Sequence, residues 1–266
     1  MEMVSTVIRS LEASRRVSEE MPIEIAGGRY IVRLAETIEE IDAALKLRFE
    51  VFNLELAEGL DSSFRTGRDR DEFDGSCDHL IVTDQTNGRV VGTYRLMTIE
   101  MAKHAGGFYS ASEFDLNYLP QEVLNQALEL GRACIAQSHR NRQVLFLLWK
   151  GLAQYAQARR KRFLFGCCSL TSQDTKDGNQ LHDQLINGGH MHPTLFVPTR
   201  SVYECPSVPR GSSEVEIPKL FRLYLSIGAK VCSPPAIDRV FKTIDFLVLF
   251  DIDTMDFVTR RMYFAP

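Results

Sequence analysis

The fold is decided by residues 127–169, which read ALELGRACIAQSHRNRQVLFLLWKGLAQYAQARRKRFLFGCCS. Residues 127–136 and 163–169 are short runs of mostly apolar side chains, a pattern that predicts two buried strands. Apolar side chains recur at helical spacing in residues 143–159, which predicts a helix between these strands. A strand, a helix and a strand within about 40 residues form a parallel β-α-β crossover. The helix positions expected to face inward are Leu145, Leu148, Trp149, Leu152 and Tyr155.

Local signals also organise the chain before this crossover. Tyr30–Leu34 (YIVRL) is typical of a strand, and Thr37 with Glu40 forms a capping box that opens a helix reaching about Asn53. Asn87-Gly88 lies between two β-type runs and predicts a tight antiparallel hairpin. The residues expected on the inner face of the first helix are Ile38, Ile41, Ala44, Leu45 and Phe49.

The C-terminal part of the chain predicts two more helices and two more strands. Residues 175–189 are expected to be helical. Ser213 with Glu216 forms a second capping box, which precedes a short amphipathic helix that ends at Gly228. The last strands are expected around residues 230–232 and 245–250.

Composition limits the class of protein. The chain has 266 residues, of which 44% are hydrophobic and 25% charged, values that are ordinary for a soluble globular protein. Its longest apolar run, VLFLLW at residues 144–149, is far shorter than a membrane span, and the N-terminal residues lack the apolar centre of a signal peptide. The sequence therefore predicts a cytoplasmic protein with a polar tail at residues 1–21. One α/β domain, with a central mixed sheet flanked by helices, is expected at residues 22–266.

Neither the cysteines nor the histidines predict a metal site. The six cysteines form no CxxC pair and show no zinc-type spacing, so we expect them to be reduced core residues. His190 and His192 lie in a loop rich in glycine and proline, and no third ligand accompanies them.

Basic residues are concentrated in the crossover. Residues 130–173 contain eight lysines and arginines and no acidic residue, whereas the whole chain has a net charge of −4. One interpretation is a solvated helix face whose C-terminal arginines complement the helix dipole. The other is an anion site where residues 140–143 (RNRQ) meet the N-terminus of the helix. Because the chain has no overall basic excess, nucleic acid is not an expected partner.

Charged side chains also occupy the predicted strands. Arg95, Glu129 and Arg132 would each be costly to bury without an oppositely charged partner. Residues 58–78 are rich in glycine, serine and aspartate and predict a long loop whose acids can supply such partners. The carboxylates available to these arginines are Asp71, Asp74 and Glu129.

Six short motifs follow one another along the chain. They are RFEVF at 48–52, DEFD at 71–74, VGTYRL at 91–96, ELGR at 129–132, YLSIGA at 224–229 and PPAID at 234–238. In the order and spacing of these motifs the chain resembles the GNAT superfamily of acyltransferases. Within it, the chain is similar to the acyl-homoserine lactone synthases, the long-chain N-acyl amino acid synthases and, most closely, the ornithine N-acyltransferases that start ornithine-lipid synthesis.

One departure from the superfamily pattern points to the acyl donor. The phosphate turn of ordinary GNAT enzymes contains glycine, whereas HRNRQV at residues 139–144 has none, so its backbone cannot wrap a pyrophosphate as closely. The resemblance therefore implies acyl carrier protein as partner, with its acyl-phosphopantetheine as co-substrate and no tightly bound cofactor. An acidic carrier suits the basic segment, which would also suit peripheral contact with the inner membrane surface. The residues expected to bind the carrier or its phosphopantetheine are Cys134, Ile135, Ala136, Arg140, Asn141, Arg142, Gln143, Arg159, Arg160, Lys161 and Arg162.

The resemblance also implies the chemistry. Attack on a thioester by the α-amine of an amino acid requires a base for the amine proton and donors for the oxyanion. Glu129 is the expected base. Its alternative role is a structural partner of Arg95 or Arg132 in a buried ion network, and the two roles do not exclude each other. Backbone N–H groups of residues 134–136 are expected to meet the oxyanion. The residues expected to shape catalysis are Glu129, Arg132, Arg95 and Asp74.

Further residues are assigned to the substrates by the resemblance. Arg48 and Phe52 lie one helical turn apart and would line the acyl or carrier entrance; alternatively, Phe52 is a core residue and Arg48 a surface charge. Asp71 would belong to the acceptor pocket, and Glu113 and Asp115 would bind a cationic amine side chain. The expected reaction transfers a (3-hydroxy)fatty acyl group to the α-amine of an amino acid, and ornithine is the expected acceptor.

Three other functions stay open at this stage. Cys134, Cys167 or Cys168 could act as the nucleophile of a thioesterase or ping-pong transferase, although no histidine accompanies them in a recognisable arrangement. A non-catalytic module that binds a carrier protein or a lipid would use only the basic segment. A lactone-forming signal synthase would accept S-adenosylmethionine, but the two C-terminal motifs favour the lipid-forming branch.

Overall fold

The computed structural model describes residues 23–208 and 214–264. The strands of this part of the chain are β1 (Glu24–Gly27), β2 (Tyr30–Leu34), β3 (Asp78–Asp84), β4 (Arg89–Thr98), β5 (Ala127–Ile135), β6 (Phe163–Leu170), β7 (Lys230–Val231), β8 (Ala236–Asp238) and β9 (Thr243–Asp251). They form one sheet in the order β1-β2-β3-β4-β5-β6-β9-β7, and β8 also pairs with β9. The hairpin predicted at Asn87-Gly88 joins β3 to β4 and is confirmed.

The pairing of β5 with β6 is parallel, and the other strand pairings of the described sheet are antiparallel. A helix at Arg142–Ala158 connects β5 to β6, which confirms the predicted β-α-β crossover. The parallel pairing covers only Ala127–Glu129 of β5. Just beyond it, a Cβ atom on Gly166 would lie 2.3 Å from the carbonyl oxygen of Leu130, so only glycine fits there. From this point the two strands no longer pair, and the sheet has an opening.

Helices cover both faces of the sheet. Those of the described chain are α1 (Ile38–Phe49), α2 (Ile99–Ala105), α3 (Gln121–Asn125), α4 (Arg142–Ala158), α5 (Thr175–Asn187), α6 (Lys219–Ser226) and α7 (Phe257–Phe264). Helix α1 packs Ile41 and Leu45 against Ile81, whereas α4 packs on Leu80 and Val82. Successive side chains of a strand point to opposite faces, so α1 and α4 lie on opposite sides of β3.

The predicted start of α1 is confirmed in detail. Thr37 Oγ1 accepts the N–H of Glu40 at 3.2 Å, and the Glu40 carboxylate accepts the N–H of Thr37 at 3.3 Å. After α1 the chain continues as a π-helical turn over Glu50–Glu55, close to the predicted helix end at Asn53. Ile38 was expected on the inner face, but it is the first helical residue and is 47% exposed.

The C-terminal predictions are confirmed only in part. Ser213 lies outside the described residues, and α6 begins at Lys219 without any side-chain cap. The predicted capping role of Glu216 is therefore wrong. The reason is that the residue before Pro218 is biased away from helical geometry, which delays the start of the helix. The tail predicted at residues 1–21 also lies outside the described residues, and within those residues no helix has the length and apolarity of a membrane span.

Candidate active site

A cavity of about 870 Å³ lies where β5 and β6 diverge. Its wall is mostly apolar on the α4 side of the sheet, apart from the N-terminal end of α4, and carries charged groups on the opposite side, because side chains alternate along each strand. The apolar wall includes Tyr94, Leu148, Trp149, Phe221, Tyr224 and Phe250. The polar wall includes Glu58, Arg95, Tyr109, Glu129, Arg132 and Asp245. Such a cavity can hold a molecule with a long apolar tail beside one with a charged head.

Three arginines and three aspartates form a buried network on the polar side. The contacts are Arg48 with Asp69 at 2.8 Å and Asp74 at 2.6 Å, Arg95 with Asp71 at 2.6 Å and Asp74 at 3.1 Å, and Arg132 with Asp69 at 3.3 Å and Asp71 at 3.1 Å. The arginines belong to α1, β4 and β5, and the aspartates all belong to one loop. The network therefore fixes that loop to the sheet beside the cavity.

Opposite charges outweigh burial in this network. Burial alone would raise the pKa of Asp74, but the charges of Arg48 and Arg95 hold that pKa well below its usual value. The pKa of Asp71 is likewise lowered, because Arg95 and Arg132 more than offset its burial. Asp71 and Asp74 therefore stay ionised at neutral pH.

Arg48 is a core residue. It was predicted either to line the acyl or carrier entrance or to be a surface charge, and both predictions are wrong. It is fully buried, and Asp69 and Asp74 occupy its guanidinium. Sequence reasoning missed Asp69 because GRDRDEFD at residues 67–74 alternates charges without a periodic pattern. Phe52, by contrast, lines the cavity, and its ring meets that of Phe241 edge-on with centroids 5.6 Å apart.

Arg132 reaches the cavity because the sheet is irregular at this position. The register between β4 and β5 shifts between Thr93 and Arg95, and Arg132 has a φ of 46°, a left-handed conformation. Its guanidinium carbon lies 4.6 Å from the ring centroid of Tyr109 and 4.2 Å from that of Phe241. These cation–π contacts hold the guanidinium between two rings at the cavity wall.

Glu129 lines the cavity but makes no ion pair with Arg95 or Arg132, so its predicted alternative role as their partner is wrong. Its Oε1 accepts the N–H of Ser110 at 2.8 Å and the hydroxyl of the same residue at 2.6 Å. Its Oε2 accepts the N–H of Tyr109 at 2.9 Å. Burial raises the pKa of Glu129, although these three hydrogen bonds oppose the shift. Oε2 retains one acceptor position, which can receive a proton.

A second group of carboxylates lies on the polar side of the cavity, the side that also holds the arginine network. Asp245 and Glu58 line the cavity, and Glu113 lies next to Asp245. One oxygen each of Glu113 and Asp245 and the Sγ of Cys167 lie within 4.8 Å of one another, a donor set that could hold a cation. Burial raises the pKa of Glu58 to about 7, that of Asp245 to about 6 and that of Glu113 well above its usual value. Sequence reasoning missed Asp245 and Glu58.

At the N-terminus of α4, several of the groups expected to bind an anion already have partners within the protein. Asn141 caps the helix, and its Oδ1 accepts the N–H groups of Gln143 and the next residue, each at 3.0 Å. Arg140 forms a bidentate pair with Glu55. Arg142 is exposed, lines the cavity and makes no ion pair with another described residue. Arg142 is thus the basic side chain at this end of α4 that can meet an incoming anion.

The basic residues at the C-terminal end of α4 lie far from Arg142. Helix α4 has 17 residues, so its ends are about 25 Å apart. The ion pairs at its C-terminal end are Arg159 with Asp78 at 3.0 Å, Lys161 with Glu100 at 3.1 Å and Arg162 with Asp251 at 2.6 Å. Arg160 is exposed and has no such pair within the described residues. The basic segment noted in the sequence is therefore divided into two separate groups, and the group at the C-terminal end of α4 is mostly neutralised.

Two contacts expected from the sequence are not made. Asp115 does not line the cavity; it caps a short turn, where its side chain accepts the N–H of Asn117. The N–H of Ala136 donates to a carbonyl oxygen of β4 at 2.8 Å, so it is used within the sheet and does not face the oxyanion. Cys134 and Ile135 do line the cavity.

Comparison with known proteins agrees with this geometry. Residues 47–150 match the family model described as an acetyltransferase (GNAT) domain. The L-ornithine N(alpha)-acyltransferase of Rhodobacter capsulatus is 32% identical over 256 residues, covering 88% of this chain and 96% of that protein. The enzyme of the same name from Agrobacterium fabrum is 30% identical over 250 residues, covering 86% of this chain and 83% of that protein. The structure of FeeM, an N-acyl amino acid synthase from uncultured soil microbes, shares the fold, with a TM-score of 0.51 at 11% identity over 87% of this chain and 96% of that one.

The diverging strands, the cavity between them and the matching domain define an acyltransferase of the GNAT superfamily. At the identity and coverage given above, the chain belongs to the family of the L-ornithine N(alpha)-acyltransferases. The resemblance deduced from the six motifs is thereby confirmed.

Proposed function

We propose that the protein transfers a fatty acyl group from the thioester of acyl carrier protein to the α-amine of ornithine, which gives an N-acyl amino acid. The observation that carries this proposal is the cavity, which joins an apolar recess to a carboxylate-lined one at the gap between β5 and β6. An acyl chain suits the apolar recess and an amino acid suits the polar one, so their reacting groups would meet in the gap. The names of the relatives support ornithine as the acceptor.

The transfer needs no covalent enzyme intermediate. The amine nitrogen attacks the thioester carbon, a C–N bond forms, the C–S bond breaks and the sulfur leaves as the phosphopantetheine thiolate. The amine proton passes to Glu129, directly or through one water, and then to the departing thiolate. Support for this role comes from the place of Glu129 beside the gap and from the acceptor position left on its Oε2. Backbone N–H groups of β5 beyond its parallel pairing would stabilise the oxyanion.

A cysteine nucleophile has no support in this site. Burial raises the pKa of Cys134 to about 12 and raises those of Cys167 and Cys168 as well. The thiolate is the nucleophilic form of cysteine, and these environments disfavour it. Direct attack by the amine is therefore the mechanism that we propose.

Acyl carrier protein as the donor is inferred from the turn before α4. The turn has no glycine, and the Asn141 side chain already occupies two of the first N–H groups of the helix. Fewer backbone donors are left for a pyrophosphate than in a glycine-rich turn. Arg142, exposed at the cavity wall, suits the single phosphodiester of a phosphopantetheine arm.

Product analysis tests the proposal. The purified protein is incubated with acyl carrier protein bearing a plain or a 3-hydroxy fatty acyl group, together with ornithine or S-adenosylmethionine. Mass spectrometry with fragmentation is expected to find ornithine acylated on its α-nitrogen. Acyl-CoA in place of the carrier is expected to react more slowly. A homoserine lactone product, or no amide with either acceptor, would contradict the proposal.

A further inference from the structure

We propose that Asp245 and Glu58, supported by Glu113, form a pocket that binds the side-chain ammonium group of the acceptor and so selects a diamino acid over a neutral one. This inference rests on the proposed function, because it assigns a specificity pocket to the same cavity. It concerns a part of the acceptor that takes no part in amide formation.

The sheet register places this group beside the reaction centre. Glu129 on β5 pairs in register with Phe165 on β6, and Ser169 on β6 pairs with Asp245 on β9. Residues an even number of positions apart on one strand share a face. Glu129 and Asp245 therefore point to the same side of the sheet, and both line the cavity together with Glu58.

The carboxylates of this group have no cationic partner, in contrast to the arginine network beside them. Neither Asp245, Glu58 nor Glu113 makes an ion pair with any residue of the described chain, whereas Asp69, Asp71 and Asp74 each contact arginines. The Oδ1 of Asp245 and the Oε2 of Glu113 are buried and accept no hydrogen bond. Both residues are at most 3% exposed.

A buried carboxylate without a partner is unfavourable, and the neighbouring acids oppose the ionisation of one another. Burial raises the pKa of Glu58, and the charge of Asp245 adds to that shift. Burial likewise raises the pKa of Glu113, and the charge of Asp245 again adds to the shift. A ligand that brings its own positive charge removes this penalty. An ammonium group has three N–H donors, which match the unused acceptor atoms around the pocket. The α-amine cannot fill this role, because it must lose its proton to attack the thioester.

Selectivity between two acceptors tests the inference. Ornithine and norvaline have the same carbon skeleton, and norvaline lacks the side-chain amine. Each is used as acceptor with acyl carrier protein as donor, for the wild-type protein and for the variants Asp245→Asn and Glu58→Gln. The expected result is a wild-type preference for ornithine in kcat/KM. Either variant is expected to reduce that preference by about 10- to 100-fold, mainly by raising the KM for ornithine. The kcat/KM for norvaline should stay the same as in the wild type.

Asp115→Asn is the matched control, because Asp115 is an acid of the same region that does not line the cavity. It should leave the ornithine preference unchanged. Thermal unfolding of every variant checks the fold; the amides replace carboxyl groups that burial already favours in the neutral form, so folding should persist.

Three results would overturn the inference. The first is a wild-type enzyme that acylates ornithine and norvaline equally well, and the second is an Asp245→Asn variant that loses both activities in equal proportion; the proposed function survives either result. The third is one equivalent of a tightly bound metal in the purified protein that disappears in Cys167→Ser, which would make the cluster a metal site. If the wild-type protein forms no amide with ornithine at all, the proposed function fails and this inference fails with it.

Discussion

The carboxylate of Glu129 accepts two hydrogen bonds from Ser110, one from its N–H at 2.8 Å and one from its hydroxyl at 2.6 Å. These bonds anchor the turn that carries Tyr109, whose ring lies against the guanidinium groups of Arg95 and Arg132. Glu129, the proposed base, thus also holds the turn that forms one wall of the acceptor site. Its removal should affect both chemistry and stability, and the two effects can be separated.

Glu129→Gln is expected to lower kcat by about 10² to 10⁴, because the general base is lost, with little change in the KM for the donor. It is also expected to destabilise the fold by about 1–3 kcal/mol, because the amide NH₂ would face a backbone N–H. In the wild-type enzyme, kcat should fall as the pH drops through the raised pKa of Glu129, since the base must be ionised.

Ser110→Ala separates the two roles of Glu129. It removes one hydrogen bond to the carboxylate but leaves the base in place, so it should cost about 0.5–1.5 kcal/mol of stability. Its kcat is expected to stay within a few-fold of the wild type. Stopped-flow kinetics and urea unfolding measure the two effects. A Glu129→Gln variant that keeps most of its kcat would remove Glu129 as the base.

Asp74→Asn is expected to destabilise the protein by about 3–5 kcal/mol, because it leaves Arg48 and Arg95 buried with one partner fewer. Asp42→Asn is the control, since Asp42 pairs with Arg68 at the surface, where such pairs contribute at most about 1 kcal/mol. Urea unfolding measures both. Equal, small losses in the two variants would show that the network contributes little to stability.

The network also predicts acid sensitivity. The folded-state pKa values of Asp71 and Asp74 lie below their unfolded values, so their contribution is fully present above the unfolded pKa near 4 and is lost as the pH falls below it. Asp74→Asn should therefore show a smaller loss of unfolding free energy between about pH 5 and pH 3 than the wild type. An identical slope in both proteins would contradict this.

Glu58→Gln is expected to stabilise the protein at alkaline pH. Burial raises the folded-state pKa of Glu58 to about 7, above the ordinary value of 4.5. The protonated form therefore stabilises the fold fully below the unfolded pKa, and this contribution is lost as the pH rises through about 7. The variant should be about 1–3 kcal/mol more stable than the wild type at about pH 8 and nearly equal at about pH 5. Glu72→Gln, at an exposed acid of the loop, should show no such difference.

Arg142→Glu is expected to raise the KM for acyl carrier protein by about five- to tenfold and to weaken its dependence on salt, because screened attraction guides the encounter. Arg160→Glu is the matched control at the opposite end of α4, where the side chain is also exposed. It should change neither quantity. Steady-state kinetics at several salt concentrations measure both variants. Equal effects of the two reversals would show that a general charge effect, rather than a local contact, determines the KM.

The sequence predicted those parts of the fold whose signals are local. The capping box of Thr37 and Glu40 and the hairpin at Asn87-Gly88 depend on a few neighbouring residues and appear where expected. The arginines in the strands also signalled a buried network, because a charge in an apolar run requires a partner.

The rest of the site depends on contacts between distant parts of the chain. Nothing near Glu129 in sequence indicates that it bonds to Ser110 rather than to Arg132. Likewise, the acids that neutralise the C-terminal end of α4 come from β3, α2 and β9. Asp245 could have been identified as a site residue from the sequence, because it is an acid within the mostly apolar strand TIDFLVLF at residues 243–250. The rule that drew attention to Arg95 applies equally to Asp245.

Leu220→Trp is expected to shift donor preference toward shorter acyl chains. Leu220 lines the apolar part of the cavity and is half-buried, so a larger side chain there can enter the cavity without overpacking the core. Excluding two methylene groups of the substrate costs about 1.6 kcal/mol, roughly a fifteenfold loss in kcat/KM for long-chain relative to medium-chain donors. Arg222→Trp, on the exposed side of the same helix, should leave the preference unchanged. Competition between the two donors, read by mass spectrometry, measures the ratio, and an unchanged ratio in Leu220→Trp would mean that the acyl chain does not bind along α6.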